Sequence, residues 1–269
     1  MIREITIGQY YPVDSLLHRL DPRTKLFGTM IYIVSLFLAN SWAGYLLAGG
    51  FLVLAIVLSK VPVKFMLKGL QAVIVLLLLS VSFNLFLTEG EVLVQFGILQ
   101  ITREGVRLSI FMGLRLIFLV VGSSIMTLTT TPNALTDGLE KSLGFLRYIR
   151  VPIHEIAMMM SIALRFIPIL IEETDKIMKA QMARGADFEG GGIGARVKAM
   201  IPLLVPLFIS AFRRAIDLSM AMEARCYHGG EGRTRLKPLK YKGGDYLTYG
   251  VYLIYLGLCV CAVVFLGKG

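Results

Sequence analysis

Thirty-four consecutive residues, 26–59, carry no formal charge, and this run limits the fold more than any other feature of the chain. It exceeds the roughly 20 apolar residues that one membrane helix needs. Asn40, Ser41 and Trp42 break it with a polar turn and an interfacial aromatic, which predicts two short spans, Leu26–Ala39 and Trp42–Ser59. Gly69–Thr88, without a charge, is the strongest span, and Val106–Leu128 and Tyr246–Gly267 complete the set. Glu89–Glu104 contains Gly90, Gly97 and an alternating pattern from Phe96 to Thr102, which predicts a short hairpin outside the hydrocarbon.

Composition points the same way, since 56% of the 269 residues are hydrophobic, 17% are charged and the mean hydropathy is +0.71. Those values lie outside the range of ordinary soluble domains, so the net charge of +10 reports membrane orientation and not a nucleic-acid face. Arg3, Arg19, Arg23 and Lys25 precede the first span, and Lys60, Lys64 and Lys68 separate the second from the third. The intervening turn is uncharged and the loop after the third span carries Glu89 and Glu91, so the N-terminus is expected on the cytoplasmic side. The first 25 residues lack a continuous apolar stretch, and no cleavable signal peptide is expected. Cys226, Cys259 and Cys261 are too few for a disulfide framework or a four-cysteine zinc site, and they are expected to be reduced and inert.

Residues 129–245 differ in kind, because they hold 29 of the chain's 46 charged residues. The fold class expected is therefore an all-α polytopic membrane protein of about five transmembrane helices plus a cytoplasmic-side domain with two long amphipathic helices. Its parts are residues 1–128, with four spans, the charged domain 129–245, and a last span in 246–269. Within the charged domain Thr131 and Pro132 start a short surface helix reaching Ile149. Pro152–Ala183 is one long helix and Gly194–Tyr227 another, joined by a turn around Gly190, Gly191 and Gly192. Pro168, Pro202 and Pro206 fall inside them as candidate kinks or hinges, or as ordinary irregularities of membrane helices.

Both long helices close on the same tripeptide pattern, Ala183-Arg184-Gly185 and Ala224-Arg225-Cys226, 41 residues apart. One reading is helix capping, since a cation near a helix C-terminus gains about 0.3–1 kcal/mol from the macrodipole and glycine suits the left-handed position after it. The other is a pair of attachment points, because arginine's rigid fork recognises carboxylates in a way lysine does not.

With these residues in place, the chain resembles the transmembrane T component of energy-coupling factor transporters, modular importers of vitamins and metal ions. The resemblance spans nearly the whole chain: Ser15–Lys25, Thr102–Gly105 before a span containing Arg115, Leu164-Arg165-Phe166-Ile167-Pro168, and the two Ala-Arg tripeptides. It implies that Arg184 and Arg225 each enter an acidic groove on one member of an ATPase dimer, and that Cys226 departs from the glycine of the family pattern. It implies that ATP and magnesium are held by those ATPases and that this chain binds no cofactor. A separate membrane-embedded S component, or several exchangeable ones, would be the second partner. The methionines Met158, Met159, Met160, Met178, Met182, Met220 and Met222 then become its docking surface, since polarisable unbranched side chains repack against different partners; core filling is the alternative. The membrane implied is that of a bacterial or archaeal cell, with the charged domain cytoplasmic.

Other classes fit less well. No Gly-x-Ser-x-Gly, no paired intramembrane carboxylates and no Gly-x-x-x-x-Gly-Lys-Ser/Thr occur, and His154-Glu155 lacks a second histidine at helical spacing. A stand-alone secondary transporter would show inverted halves, which five spans do not. Arg107 is expected to snorkel, while Arg115 and Arg165 each require an internal polar partner.

Overall fold

The computed structural model describes residues 10–96, 99–186, 188, 190, 192–229 and 238–266. The chain divides into two compact units, residues 8–141 with 239–269 and residues 142–238, and each is described by itself.

The first unit is a bundle. A single turn, α1 (Leu16–Arg19), leads into α2 (Pro22–Leu38), α3 (Trp42–Ser59) and α4 (Val63–Leu87). A two-stranded antiparallel hairpin, β1 (Val92–Phe96) and β2 (Leu99–Thr102), then leads into α5 (Arg103–Thr129), α6 (Pro132–Ser142) and, after the second unit, α9 (Gly243–Leu266). The helix starts follow the chemistry of exposed N–H groups. Asp21, Ser41 and Thr102 each accept a hydrogen bond from a backbone N–H of the first turn, and Pro22 occupies the first helical position where its missing N–H costs nothing. α4 packs along α5, and α2 lies against α5 and α9. The core between them joins Tyr32, Leu36, Leu52, Met66, Val121 and Ile125 to Tyr255, with the Phe51 and Tyr255 rings stacked 4.3 Å apart.

Polar contacts tie this bundle together, as expected where lipid removes the hydrophobic drive for helix association. Ser35 and Tyr255 share a 2.7 Å hydrogen bond between α2 and α9. Arg115 donates to the Tyr45 hydroxyl at 3.1 Å and to the Ala39 carbonyl at 3.3 Å, so the deep arginine of α5 has its partners on α3 and at the end of α2. Arg107 lies over the Phe111 ring.

The second unit contains a 3-10 helix (Leu143–Ile149) and two helices of 31 residues each, α7 (Ile153–Ala183) and α8 (Ile193–Glu223). Each is about 46 Å long at 1.5 Å per residue.

Three expectations change. The helix starting at Pro132 ends at Ser142 instead of Ile149, and the chain continues as the 3-10 helix through Gly144. α6 is also no surface helix alone: Thr136 and Gly138 are buried, and a side chain at Gly138 would meet Pro22. Finally, six helices rather than five are long and apolar enough to cross a membrane, namely α3, α4, α5, α7, residues 197–223 of α8, and α9. α7 and α8 qualify because their charges cluster toward one part and leave an 18-residue apolar window, while α2, at 17 residues, is short of a full span.

Candidate functional site

α7 and α8 form an antiparallel hairpin. Near its turn Gln181 donates to the Pro202 carbonyl at 3.3 Å, midway Arg214 donates to Glu173 at 2.7 Å, and toward the far end Ile162 and Phe166 line a groove of about 370 Å³ with Met222 and Tyr227. The Gln181 bond has a specific cause. Pro206 has no N–H, so the carbonyl four residues back, that of Pro202, loses its helical donor, and the Gln181 amide fills the vacancy from the neighbouring helix. Both helices run unbroken through Pro168, Pro202 and Pro206.

At the end of α7, Arg184 is the capping residue, Gly185 has φ +89°, its N–H reaches the Met182 carbonyl at 3.0 Å, and the Ala186 N–H reaches the Gln181 carbonyl at 3.0 Å. This pair of bonds is a Schellman motif. At the end of α8 the pattern repeats one for one: Cys226 has φ +55°, its N–H reaches Glu223 at 2.8 Å, and the Tyr227 N–H reaches Met222 at 3.1 Å. Cys226 therefore occupies the left-handed position that Gly185 fills in the first helix, and the departure from glycine leaves the cap geometry intact at a cost of about 1 kcal/mol. His228 Nδ1 lies 2.7 Å from the Cys226 carbonyl.

The two tripeptides thus share one backbone conformation, and all six of their residues are exposed. Among the described residues neither the Arg184 nor the Arg225 guanidinium has an ion-pair or hydrogen-bond partner. Because the helices are antiparallel, the arginines stand at opposite ends of the hairpin. The groove that holds Met222 and Tyr227 is lined by Ile162, 22 residues before Arg184, which separates the tips by about 33 Å along the axis.

The methionines follow the same division. Met158, Met159 and Met160 share the far end with Met220 and Met222, while Met178 and Met182 lie toward the turn. Met159, Met160, Met182 and Met220 are exposed, and Met158, Met178 and Met222 are half-buried. Arg165 is exposed.

Sequence reasoning did not single out the polar cluster that closes one end of the membrane unit. Asp245, 1% exposed, accepts from the Asp21 and Lys242 N–H groups, both at 2.8 Å, and so caps α9 while holding the start of α2. Arg23 pairs with Asp21 through two bonds of 3.0 Å and stacks 3.9 Å from the Tyr241 ring centre. Burial raises the Asp21 carboxyl, but the Arg23 side chain and backbone N–H outweigh it and hold the group below its ordinary range. Lys25 Nζ, also buried, donates to the Thr129 carbonyl at 2.8 Å and the His18 carbonyl at 3.3 Å, joining α2 to the ends of α5 and α1. An acidic residue opening the apolar run of α9 was the available signal for Asp245.

Several helices long and apolar enough to cross a membrane, together with a hairpin whose two tips match and carry cations, define a multi-pass membrane protein. Comparison with known proteins narrows that class. A family model described as CbiQ, cobalt transport protein, matches residues 14–236. The chain is 52% identical over 256 residues to the energy-coupling factor transporter transmembrane protein EcfT of Ruminiclostridium cellulolyticum, covering 95% of this chain and 96% of that one. It is 50% identical to the EcfT of Clostridium kluyveri over the full length of both chains. The EcfT of Bacillus subtilis is 48% identical over 246 residues, 91% of this chain and 93% of that protein. The chain belongs to this EcfT family of energy-coupling factor transporter transmembrane proteins.

Proposed function

We propose that the chain is the mechanical link of such a transporter, joining ATP hydrolysis by a paired ATPase dimer to substrate uptake through a separate membrane-embedded S component. The observation that carries this reading is the repeated cap: two helix ends with the same hydrogen-bond pattern each present an exposed arginine, and the antiparallel hairpin holds them about 33 Å apart. A parallel pair would set both arginines side by side, within reach of one subunit. Opposite ends suit one arginine per member of a dimer, each forked onto a carboxylate in the partner's groove.

The Schellman caps give each arginine a fixed departure angle from its helix, so displacement of the groove is passed to the helix axis. When the dimer closes on ATP and magnesium, which the ATPases hold, the tips move together and the hairpin flexes. Pro168, Pro202 and Pro206, each lacking one backbone N–H, are the compliant points. The exposed methionines at both ends of the hairpin then lie where an exchangeable S component would sense that motion. The Lys and Arg distribution supports a cytoplasmic position for the hairpin.

The test is co-purification from membranes of Arg184→Ala plus Arg225→Ala with the two ATPases. The expected result is a folded chain that has lost both ATPases, with Arg→Lys at the same positions restoring binding only in part. An undiminished stoichiometric ATPase pair on the alanine double variant would overturn the reading.

A further inference from the structure

The membrane unit contains a cavity of about 420 Å³ that the proposed coupling role does not use. Its volume is within the usual range for a small-ligand site, roughly 300–1,000 Å³. Phe51 and Ala55 of α3, Met126 of α5, and Val251 and Tyr252 of α9 give it apolar walls. Exposed leucines, Leu16, Leu54 and Leu247, stand at its margin, so its apolar interior is continuous with the surface that meets lipid. One end is of another character: Arg19, Lys25, Lys242 and Asp245 line it there.

We propose that this cavity binds one acyl chain of an anionic phospholipid, with the headgroup held by the cations at its charged end. Two observations support the choice. The walls are those of an acyl chain's environment and not of a soluble ligand's. The charged end is positive on balance, because Arg19, Lys25 and Lys242, with Arg23 and Lys60 beside them, outnumber the carboxylates Asp14, Asp21 and Asp245. Arg19 is engaged by Asp14 through two of its five donors, and Lys25 by two carbonyls, which leaves donors on both and the whole of the Lys242 ammonium, in an exposed residue, for a phosphate. Basic pockets between membrane helices are known to take anionic headgroups in this manner.

Gly28 fits this picture of a shaped wall. A side chain there would run into the Tyr252 phenol, so glycine is what lets α9 come close enough to seal one side of the cavity.

The experiment is native mass spectrometry of the purified full-length chain, equilibrated with equal amounts of phosphatidylglycerol and phosphatidylcholine. The wild type is expected to retain one phosphatidylglycerol under activation that strips the rest. Lys242→Gln should reduce the preference for the anionic lipid roughly fivefold, the effect of one surface cation. Ala55→Trp, which fills the cavity, should abolish retention, while Leu46→Trp on the exposed side of the same helix should not. If Ala55→Trp fails to fold, as judged by circular dichroism, Ala55→Leu replaces it and should weaken retention at least threefold. Equal retention of both lipids, retention unchanged by the filling variants, retention of neither lipid by the wild type, or displacement of the lipid by excess inorganic phosphate would each overturn the proposal.

Discussion

In the unit of residues 8–141 and 239–269, Asp245, Lys25 and Thr24 are almost wholly enclosed, and the charged members of that set are answered by backbone groups at the ends of four helices. In residues 142–238, Ala157 and Leu203 alone are buried among the described residues, and Phe208, Phe212, Ile216 and Met220 stand open. The first unit spends its polar chemistry on itself. Among its described residues the second pairs Arg214 with Glu173 at mid-length and carries exposed arginines at its tips. A two-helix hairpin buries little by itself, so its apolar faces are shaped for bilayer or protein, whereas the bundle is internally complete.

That contrast can be broken or sharpened by measurement. The largest effect is expected at the tips: Arg184→Ala with Arg225→Ala should lower ATPase retention at least a hundredfold, since removing one partner of a buried charge pair costs about 2–5 kcal/mol. The same change should move the chain's own unfolding by no more than about 1–2 kcal/mol, the macrodipole share of two exposed C-terminal cations. The reverse holds at the enclosed end. Asp245→Ala orphans two backbone N–H groups and removes a carboxylate near Lys25, and should cost about 3 kcal/mol in thermal unfolding of the detergent-solubilised protein. An Asp245→Ala protein as stable as the wild type would erase the distinction between the units.

Smaller effects compare the two caps with each other. Gly185→Ala should destabilise α7 by about 1 kcal/mol, and Cys226→Gly should stabilise α8 by a similar amount, because only the second site now carries a side chain in the left-handed region. Hydrogen exchange of the last turn of each helix measures both. The smallest expected effect is at His18. Burial, and next to it the charge of Lys25, hold the imidazole below its ordinary value of 6.5, against the Tyr11 carbonyl that it meets at 3.0 Å. The unfolded chain therefore binds a proton more readily, so stability is full above pH 6.5 and declines as pH falls from there toward the lowered folded value. His18→Gln should flatten that decline in a melting series across pH 5–7.

How much of this could be read from the chain depended on how local the cause was. The span at 42–59, the helix read as Val106–Leu128 that starts three residues earlier, and the strand pair before Arg103 follow from neighbouring residues and were legible; the capping roles of Ser41 and Thr102 showed only as a turn and a hairpin end. The tripeptides were visible as sequence, and so were both of their readings. Their equivalence was not, because it rests on Cys226 adopting a positive φ that its side chain disfavours. Contacts across long separations were silent: nothing near Asp21 announces Asp245, 224 positions away, and nothing near Gln181 announces the carbonyl that Pro206 leaves free. The number of spanning-length helices was undercounted because charge totals over residues 129–245 concealed the apolar windows inside α7 and α8.

The antiparallel hairpin also acts as a ruler. With one arginine at each end, the distance between the two arginines is counted in helical residues, about 1.5 Å for each, and the connection after Ala186 does not enter the count. Lengthening that connection leaves the spacing unchanged, whereas one residue added within α7 or α8 displaces its tip and swings it about 100° round the axis. On the proposed function, length variation in such a chain should therefore collect at the turn and be absent from the two helices, whose residue number sets the spacing of the two arginines.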